Sequence, residues 1–498
     1  MKKTIKLGWA EGSITPEGRR IRLAGQFYDR ISQYVETPVT ATALAIEAGD
    51  EQTIICSVDE THIFCDLIRA VRHRVKAAEP DVDTSKIIIS ATHTHNSLLY
   101  SSERELGLDA LNKYLGLESA PMFGAGNIKT DCLMEPDEAA LYLADRLADI
   151  IVAAWRGRRP AYYSAAFGRA AVGMCRRVCY KDGSAKMWGD TATEDFFALE
   201  GGNDNGIELL FTYDEAKKPT GAVINIACPA QVLEQRYFIS SDYWGKVKIL
   251  LREHFGEDFK VLALCAPAGD QCPRDLIRWV EPETPIEDPN VIRSDPPVRH
   301  ADPSMFDIRG SWKIGRRIAS EVIAVFEEDK QTLVDQAEFE HIAVDLALPL
   351  RRVSEQENAE ARAKLSEFVQ THDKSALNFV DSARMHVCAG IAERYDMQKT
   401  VTTVSTEVHV VRLGDIAIAS SPFELFLDFA NIIRARSAAC QTFLIQLACD
   451  GLGYLPTEKA ERGGHYSGYV SSGFVGHEGG YQLAEQTLDM IRKMFVSD

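Results

Sequence analysis

The chain has 498 residues, 45% hydrophobic and 26% charged, the balance of a soluble globular protein with room for a large core. Its 55 basic and 73 acidic residues leave a net charge of −18, which excludes nucleic acid as an expected partner and argues against docking on anionic membranes. No apolar run approaches the length of a membrane-spanning helix, and Met1–Ala10 lacks the apolar region of a secretory signal. Eleven cysteines without framework spacing read as reduced thiols, so the expected location is the cytoplasm.

In chain order, Thr42–Ala48, Gly49-Asp50 and Thr53–Asp59 read as a β-hairpin. Ile63, Leu67, Ile68, Val71 and Val75 then fall at helical spacing. Three consecutive isoleucines in Lys86–Thr92 predict a strand buried on both faces, with His93 and His95 at its carboxyl end. Residues 96–136 are polar and glycine-punctuated, an insertion suited to walling a site. A helix follows through Ala139, Leu141, Leu143, Leu147 and Ile150 towards Trp155.

Four further apolar strands end in polar loops: 222–227 before Cys228–Gln231, 261–265 before Pro267–Asp275, 416–419 before Ser421–Glu424, and 443–447 before Cys449–Tyr454. Five such ends predict an α/β protein with a mixed β-sheet core, flanking helices and one crevice at the carboxyl ends of the strands. The Pro- and Asp-rich stretch 280–310 is an irregular excursion, 354–371 a solvated helix opened by a capping box, and 481–495 a final amphipathic helix. No internal repeat is visible in the sequence. One domain over 1–498 is expected, with 335–498 open as a smaller C-terminal subdomain and no appended β-sandwich.

In extended backbone, His93 and His95 point to one side and can share a metal, or divide a metal and a substrate oxygen between them; the alternative is hydrogen bonding at a strand end. Glu424 reads either as a ligand or as a carboxylate at a helix start, and Tyr454 as a ligand or an aromatic anchor in a glycine-rich turn. Asp270 is a turn cap or a site carboxylate. Cys272 is a buried thiol or a nucleophile, the latter requiring a cation such as Arg274 to lower its pKa. His465 and His477 sit in glycine-rich loops that can close over a ligand. His62, His73, His254, His300, His341, His372, His386 and His409 carry no motif context and are assigned no role.

The residues Ser13-Ile14-Thr15-Pro16 with Leu23-Ala24-Gly25, Ser90-Ala91-Thr92-His93-Thr94-His95, Ala268–Pro273, Pro422-Phe423-Glu424 and Gly453–Thr457 resemble, in order, the motifs of the neutral, non-lysosomal ceramidase superfamily. In that family a zinc ion held by two histidines, a glutamate and a tyrosine activates water against an amide carbonyl. The resemblance implies His93, Glu424 and Tyr454 as ligands and His95 beside the metal facing substrate. It also implies Arg176 lining the site and Asp59 as an acidic residue that orients a ligand. Two departures stand out. Pro229 occupies the position expected for the second zinc histidine; the expected cofactor is a divalent metal, Zn2+ if the ion is held in the family manner, with Mn2+ or Mg2+ as the alternatives if an oxygen donor such as Gln231 replaces the imidazole. Cys272 replaces the family's serine.

The expected function is a metal-dependent hydrolase of an amide or related bond in a small polar, even carbohydrate-like, substrate. The alternatives are a metal-assisted sugar or polyol lyase or isomerase, or a binding protein on a decayed site. Homo-oligomerisation is left open.

Overall fold

The computed structural model describes residues 2–26, 30–100, 111, 114–116, 132–277, 307–328, 332–372 and 379–496. The expected insertion over 96–136 and the excursion over 280–310 lie largely outside the described residues. One topological unit occurs three times. It begins with β1 (Lys3–Ser13), β2 (Thr40–Ala48) and β3 (Glu51–Val58), which pair antiparallel; α1 (Cys65–Ala78) then crosses to β4 (Ile87–Ala91), parallel to β3, and α2 (Pro136–Arg156) closes the unit. The second unit runs β5 (Tyr162–Arg169), β6 (Gly206–Tyr213), β7 (Pro219–Ile226), α3 (Asp242–Phe255), β8 (Lys260–Cys265) and α4 (Ile308–Glu328), again with only β7 and β8 parallel.

The third unit starts with β9 (Phe339–Pro349), which is followed by an inserted helical hairpin, α5 (Glu355–Thr371) and α6 (Phe379–Met397). It resumes through β10 (Thr403–Leu413), β11 (Ile416–Ser420), α7 (Leu427–Arg436) and β12 (Gln441–Ile445), passes the short α8 (Glu458–Gly463), and ends in α9 (His477–Phe495). Here β11 and β12 form the parallel pair. The expected mixed β-sheet core is therefore three mixed sheets with helices against them, the first of six strands because two short strands, Arg159–Pro160 and Gln336–Ala337, add to β1, the others of four. The repeat is one of topology, invisible in sequence.

The parallel pairs explain why the apolar runs were readable. Ile87, Ile88 and Ile89 are all fully buried because β4 is covered on both faces, each ring-free side chain contributing about 1.5–3 kcal/mol. Helix α1 buries Leu67, Ile68, Val71 and Val75 as the spacing predicts. In α2, Leu143, Leu147 and Ile150 are buried, but Leu141 is 61% exposed, because it falls off the stripe that faces the sheet. The capping box of α5 is present: Ser354 Oγ accepts from Glu357 N, and the Glu357 carboxylate accepts from Ser354 N at 2.8 Å.

Candidate active site at the carboxyl ends of three parallel pairs

All three units end their parallel strands on one side, and the loops beyond them carry the candidate residues. After β3 the chain reads Asp59-Glu60-Thr61-His62. The Asp59 carboxylate accepts from Thr40 N and Thr40 Oγ1 at 2.9 Å and from Thr92 Oγ1 at 3.2 Å, and lies 3.4 Å from Lys248 Nζ. It ties strand ends together and does not reach the other candidates. Glu60 turns inward instead. It is fully buried, its Oε1 accepts from Ser97 Oγ at 2.8 Å, and burial pushes its carboxyl well above the carboxylate range.

Beyond β4, His93 adopts φ +68, a left-handed conformation uncommon for any residue but glycine. The extended backbone assumed from the sequence is therefore absent, yet the rings converge: His93 Nε2 is 3.4 Å from His95 Nε2, edge to face. His93 Nδ1 lies 2.8 Å from the Thr61 carbonyl, which can only accept, so Nδ1 carries the proton and Nε2 presents a lone pair. That lone pair faces Glu424 Oε2 at 3.4 Å. Burial lowers His93 to about 4. It pushes the other way on Glu424, but His93, His62 and Arg176 outweigh it and hold the carboxyl at about 2.

Glu424 is placed by backbone, not by a helix start. Residues Glu424–Leu425 pair in parallel with Tyr454–Leu455, Glu424 directly opposite Tyr454, and α7 begins only at Leu427. Gly269 N donates to Leu425 O at 2.9 Å, and a Cβ on Gly269 would sit 2.3 Å from Glu424 O, so three loops are zipped together at this point. Asp270 caps α7 from outside, accepting from Leu427 N at 2.9 Å; burial raises it to about 6.

Arg176 is buried and donates to Gln231 Oε1 at 3.0 Å, Gly269 O at 3.0 Å and the Tyr454 hydroxyl at 3.2 Å. Burial alone would lower its pKa, but Tyr454 and Glu424 reverse the sign and raise it. With the Gln231 oxygen committed to Arg176, its amide nitrogen faces His95 Nε2 at 2.8 Å and donates. Gln231 is thus a bridge between Arg176 and His95, its oxygen turned from the His93–Glu424 pair. His62, assigned no role from sequence, joins the pair: its Nε2 is 3.7 Å from Glu424 Oε1 and its ring stands edge-on to His93 at 5.2 Å between centroids. The signal was present, since His62 belongs to a polar run after a buried strand, but only Asp59 of that run was singled out. His465 Nδ1 accepts from Met187 N and its ring borders the cavity, while His477 pairs with Glu461 at 2.9 Å.

Cys272 donates to Arg274 O at 3.3 Å and is fully buried. Burial pushes its thiol up to about 12, outweighing the pull of Arg176 the other way. A thiol so held is a poor nucleophile. Any hydrolytic activity of the site is expected to survive largely in Cys272→Ser and to resist alkylating reagents; its loss in a serine variant that still folds would make Cys272 a participant.

His62, Glu424, Tyr454 and Tyr466 form the polar floor of a cavity of about 860 Å3 walled by Phe64, Leu98, Tyr100 and helices α5 and α6. His95 is fixed from behind by Gly25, whose φ is +89 and whose missing Cβ would lie 2.5 Å from the imidazole. Gly25→Ala should displace that ring and cut turnover about tenfold to a hundredfold through misplacement alone, with thermal stability measured alongside; unchanged kinetics would show that the ring position is not critical.

The comparisons bear on this arrangement. A neutral ceramidase from Pseudomonas aeruginosa superposes with a TM-score of 0.68 at 15% identity, covering 99% of this chain and 75% of the other. The chain has the neutral ceramidase fold. A second solved structure, a ceramidase complexed with C2, matches that fold at a TM-score of 0.65 and 14% identity, over 98% of this chain and 75% of its own. No protein-family model matches the chain, and no curated protein matches it. Among the described residues no helix is long and apolar enough to cross a membrane.

Proposed function

We propose that the chain is a metal-dependent hydrolase of an amide bond, working at the floor of the large cavity. The observation that carries this reading is the confrontation of His93 Nε2 and Glu424 Oε2. A proton-free ring nitrogen and an ionised carboxylate, both buried, face each other at 3.4 Å. Two lone pairs so placed call for a cation between them, and imidazole with carboxylate is a donor set that suits zinc. His93 and Glu424 would hold the ion, with His62, 3.7 Å from Glu424 Oε1, as a third nitrogen donor and Tyr454 paired opposite Glu424. A divalent ion there supplies Lewis acidity towards a carbonyl oxygen and lowers the pKa of water.

The chain's own groups do the rest. Arg176, unable to lose its charge, and the Tyr454 hydroxyl it contacts form a donor pair for oxygen on which negative charge develops. Gln231 holds the His95 imidazole neutral and oriented beside them. The cavity's size and its apolar walls favour a substrate with an apolar acyl part and a polar group at the floor. A small sugar would leave most of those walls uncovered. Ceramide, the substrate class named for the structural neighbours, is one amide of that kind; fatty-acylated amino acids and amines are others.

The test is a panel of N-acyl amides of increasing chain length, assayed by product mass in 18O-labelled water before and after chelation. Label in the released carboxylate, lost with chelator and restored by zinc, is expected. Turnover without label would mean elimination, and turnover indifferent to chelation would remove the metal from the reaction.

A further inference from the structure

A second cluster of metal-ligating side chains lies between the first and third sheets, away from the cavity. Along β10, Val408 and Val410 pack into the third unit's core, while Glu407, His409 and Val411 point the other way, towards β3, β4 and α1. Cys449 reaches the same place from the loop after β12. Its amide donates to Ile89 O at 2.9 Å and its backbone is left-handed, φ +63, which carries the thiol over His409. The donor atoms of Glu407, His409 and Cys449 all lie within 4.8 Å of one another, and among the described residues no other trio of His, Cys, Asp or Glu does so.

We propose that Glu407, His409 and Cys449 form a zinc site that fastens the first and third sheets together, separate from the active site. The donor set is the mixed nitrogen, oxygen and sulfur type that a borderline-soft ion prefers over Mg2+ or Ca2+. The spacing suits it. With bonds of about 2.0 Å to nitrogen and about 2.3 Å to sulfur, tetrahedral ligands stand roughly 3.5 Å apart, and Cys449 Sγ is 3.6 Å from His409 Nε2. Glu407 Oε1, at 2.8 Å from the same nitrogen, must swing out by about half an ångström.

The surroundings already orient the ring. His409 Nδ1 is 2.9 Å from His341 Nε2, and His341 Nδ1 is 2.8 Å from Thr53 Oγ1, a relay that leaves His409 Nε2 for the ion once Nδ1 donates along it. Arg72 grips both Glu407 oxygens and also donates to Ile87 O at 2.7 Å. It balances the carboxylate without using all its lone pairs. Binding would release the Cys449 thiol proton to solvent. Glu407 is 28% exposed, so an ion has a way in.

The test uses the full chain stripped with chelator and titrated with Co2+. Of the two proposed metal sites only this one holds a cysteine, so a thiolate-to-cobalt charge-transfer band in the near ultraviolet that depends on Cys449 reports it. The expected result is a band that saturates at one equivalent, persists in His93→Ala and disappears in Cys449→Ser. A wild-type protein with no such band, or a band that survives in Cys449→Ser, overturns the proposal. If Cys449→Ser does not fold, His409→Asn decides: the cobalt affinity read from the band should fall about tenfold or more, and an unchanged affinity rejects the site.

Discussion

His93→Ala should lower amide hydrolysis by about 10³-fold and remove one equivalent of divalent metal, while the fold survives. The size follows from what the residue does: a Lewis-acid ion contributes several kcal/mol of charge stabilisation, and each factor of ten in rate corresponds to about 1.4 kcal/mol. Without the imidazole, Glu424 alone faces the floor, with His62 3.7 Å away on its other oxygen. The substitution carries a backbone complication, because alanine tolerates φ +68 poorly. His93→Asn is the companion variant, since asparagine accepts the left-handed region. Both should lose metal and activity together, as read by elemental analysis and kcat/KM. Full metal content with activity gone would leave His93 as a proton-transfer group; full activity would dismiss it from the site.

Arg177→Ala should be the most destabilising single change in this part of the molecule, by about 3–5 kcal/mol in urea or thermal unfolding. Arg177 follows Arg176 but points the opposite way and is fully buried. It forms a fork with Glu200, Nε to Oε2 at 2.5 Å and Nη2 to Oε1 at 3.0 Å, and donates to the carbonyls of Tyr466 and Gly464 at 2.8 Å and of Ala460 at 3.3 Å. Truncation leaves the Glu200 charge and the carbonyls of Tyr466 and Gly464 without the guanidinium, while Ala460 O keeps its bond from Gly464 N, and the penalty arises there. Glu200→Gln in the same background should recover part of the loss. A deficit below about 1 kcal/mol would mean that water replaces the guanidinium, contrary to the packing.

Adjacent arginines of one sequence therefore divide into a site group and a structural clamp, a distinction that composition and spacing do not carry. What the sequence did reveal was the set of buried parallel strands and the polar loops after them, because a strand covered on both faces is apolar throughout. The antiparallel strands were harder to see. Strand β9 buries only His341 and Leu348 among its eleven residues, the rest being exposed or half-exposed without strict alternation, and looks like neither a buried strand nor a helix. The number of sheets was hidden for that reason, and the threefold repeat with it. His62 escaped notice because it approaches Glu424 only through tertiary folding. The left-handed turn at His93 was equally unreadable, being imposed by hydrogen bonds from its N–H to Glu60 O and from its ring to Thr61 O.

The threefold topology has a thermodynamic consequence. The first unit supplies His62, His93 and His95, the second Arg176 and Gln231, and the third Glu424 and Tyr454. The cavity is lined by the first and third units, with Arg176 of the second touching the lining Tyr454, so a ligand on its floor acts as a bolt between those two units and resists their parting. Its binding energy is added to the stability of the assembled chain and to none of the parts, about 2.7 kcal/mol at a hundredfold excess over Kd. Recognition and folding cooperativity become one quantity here, and a rise in melting temperature can reveal a true substrate before any turnover is detected.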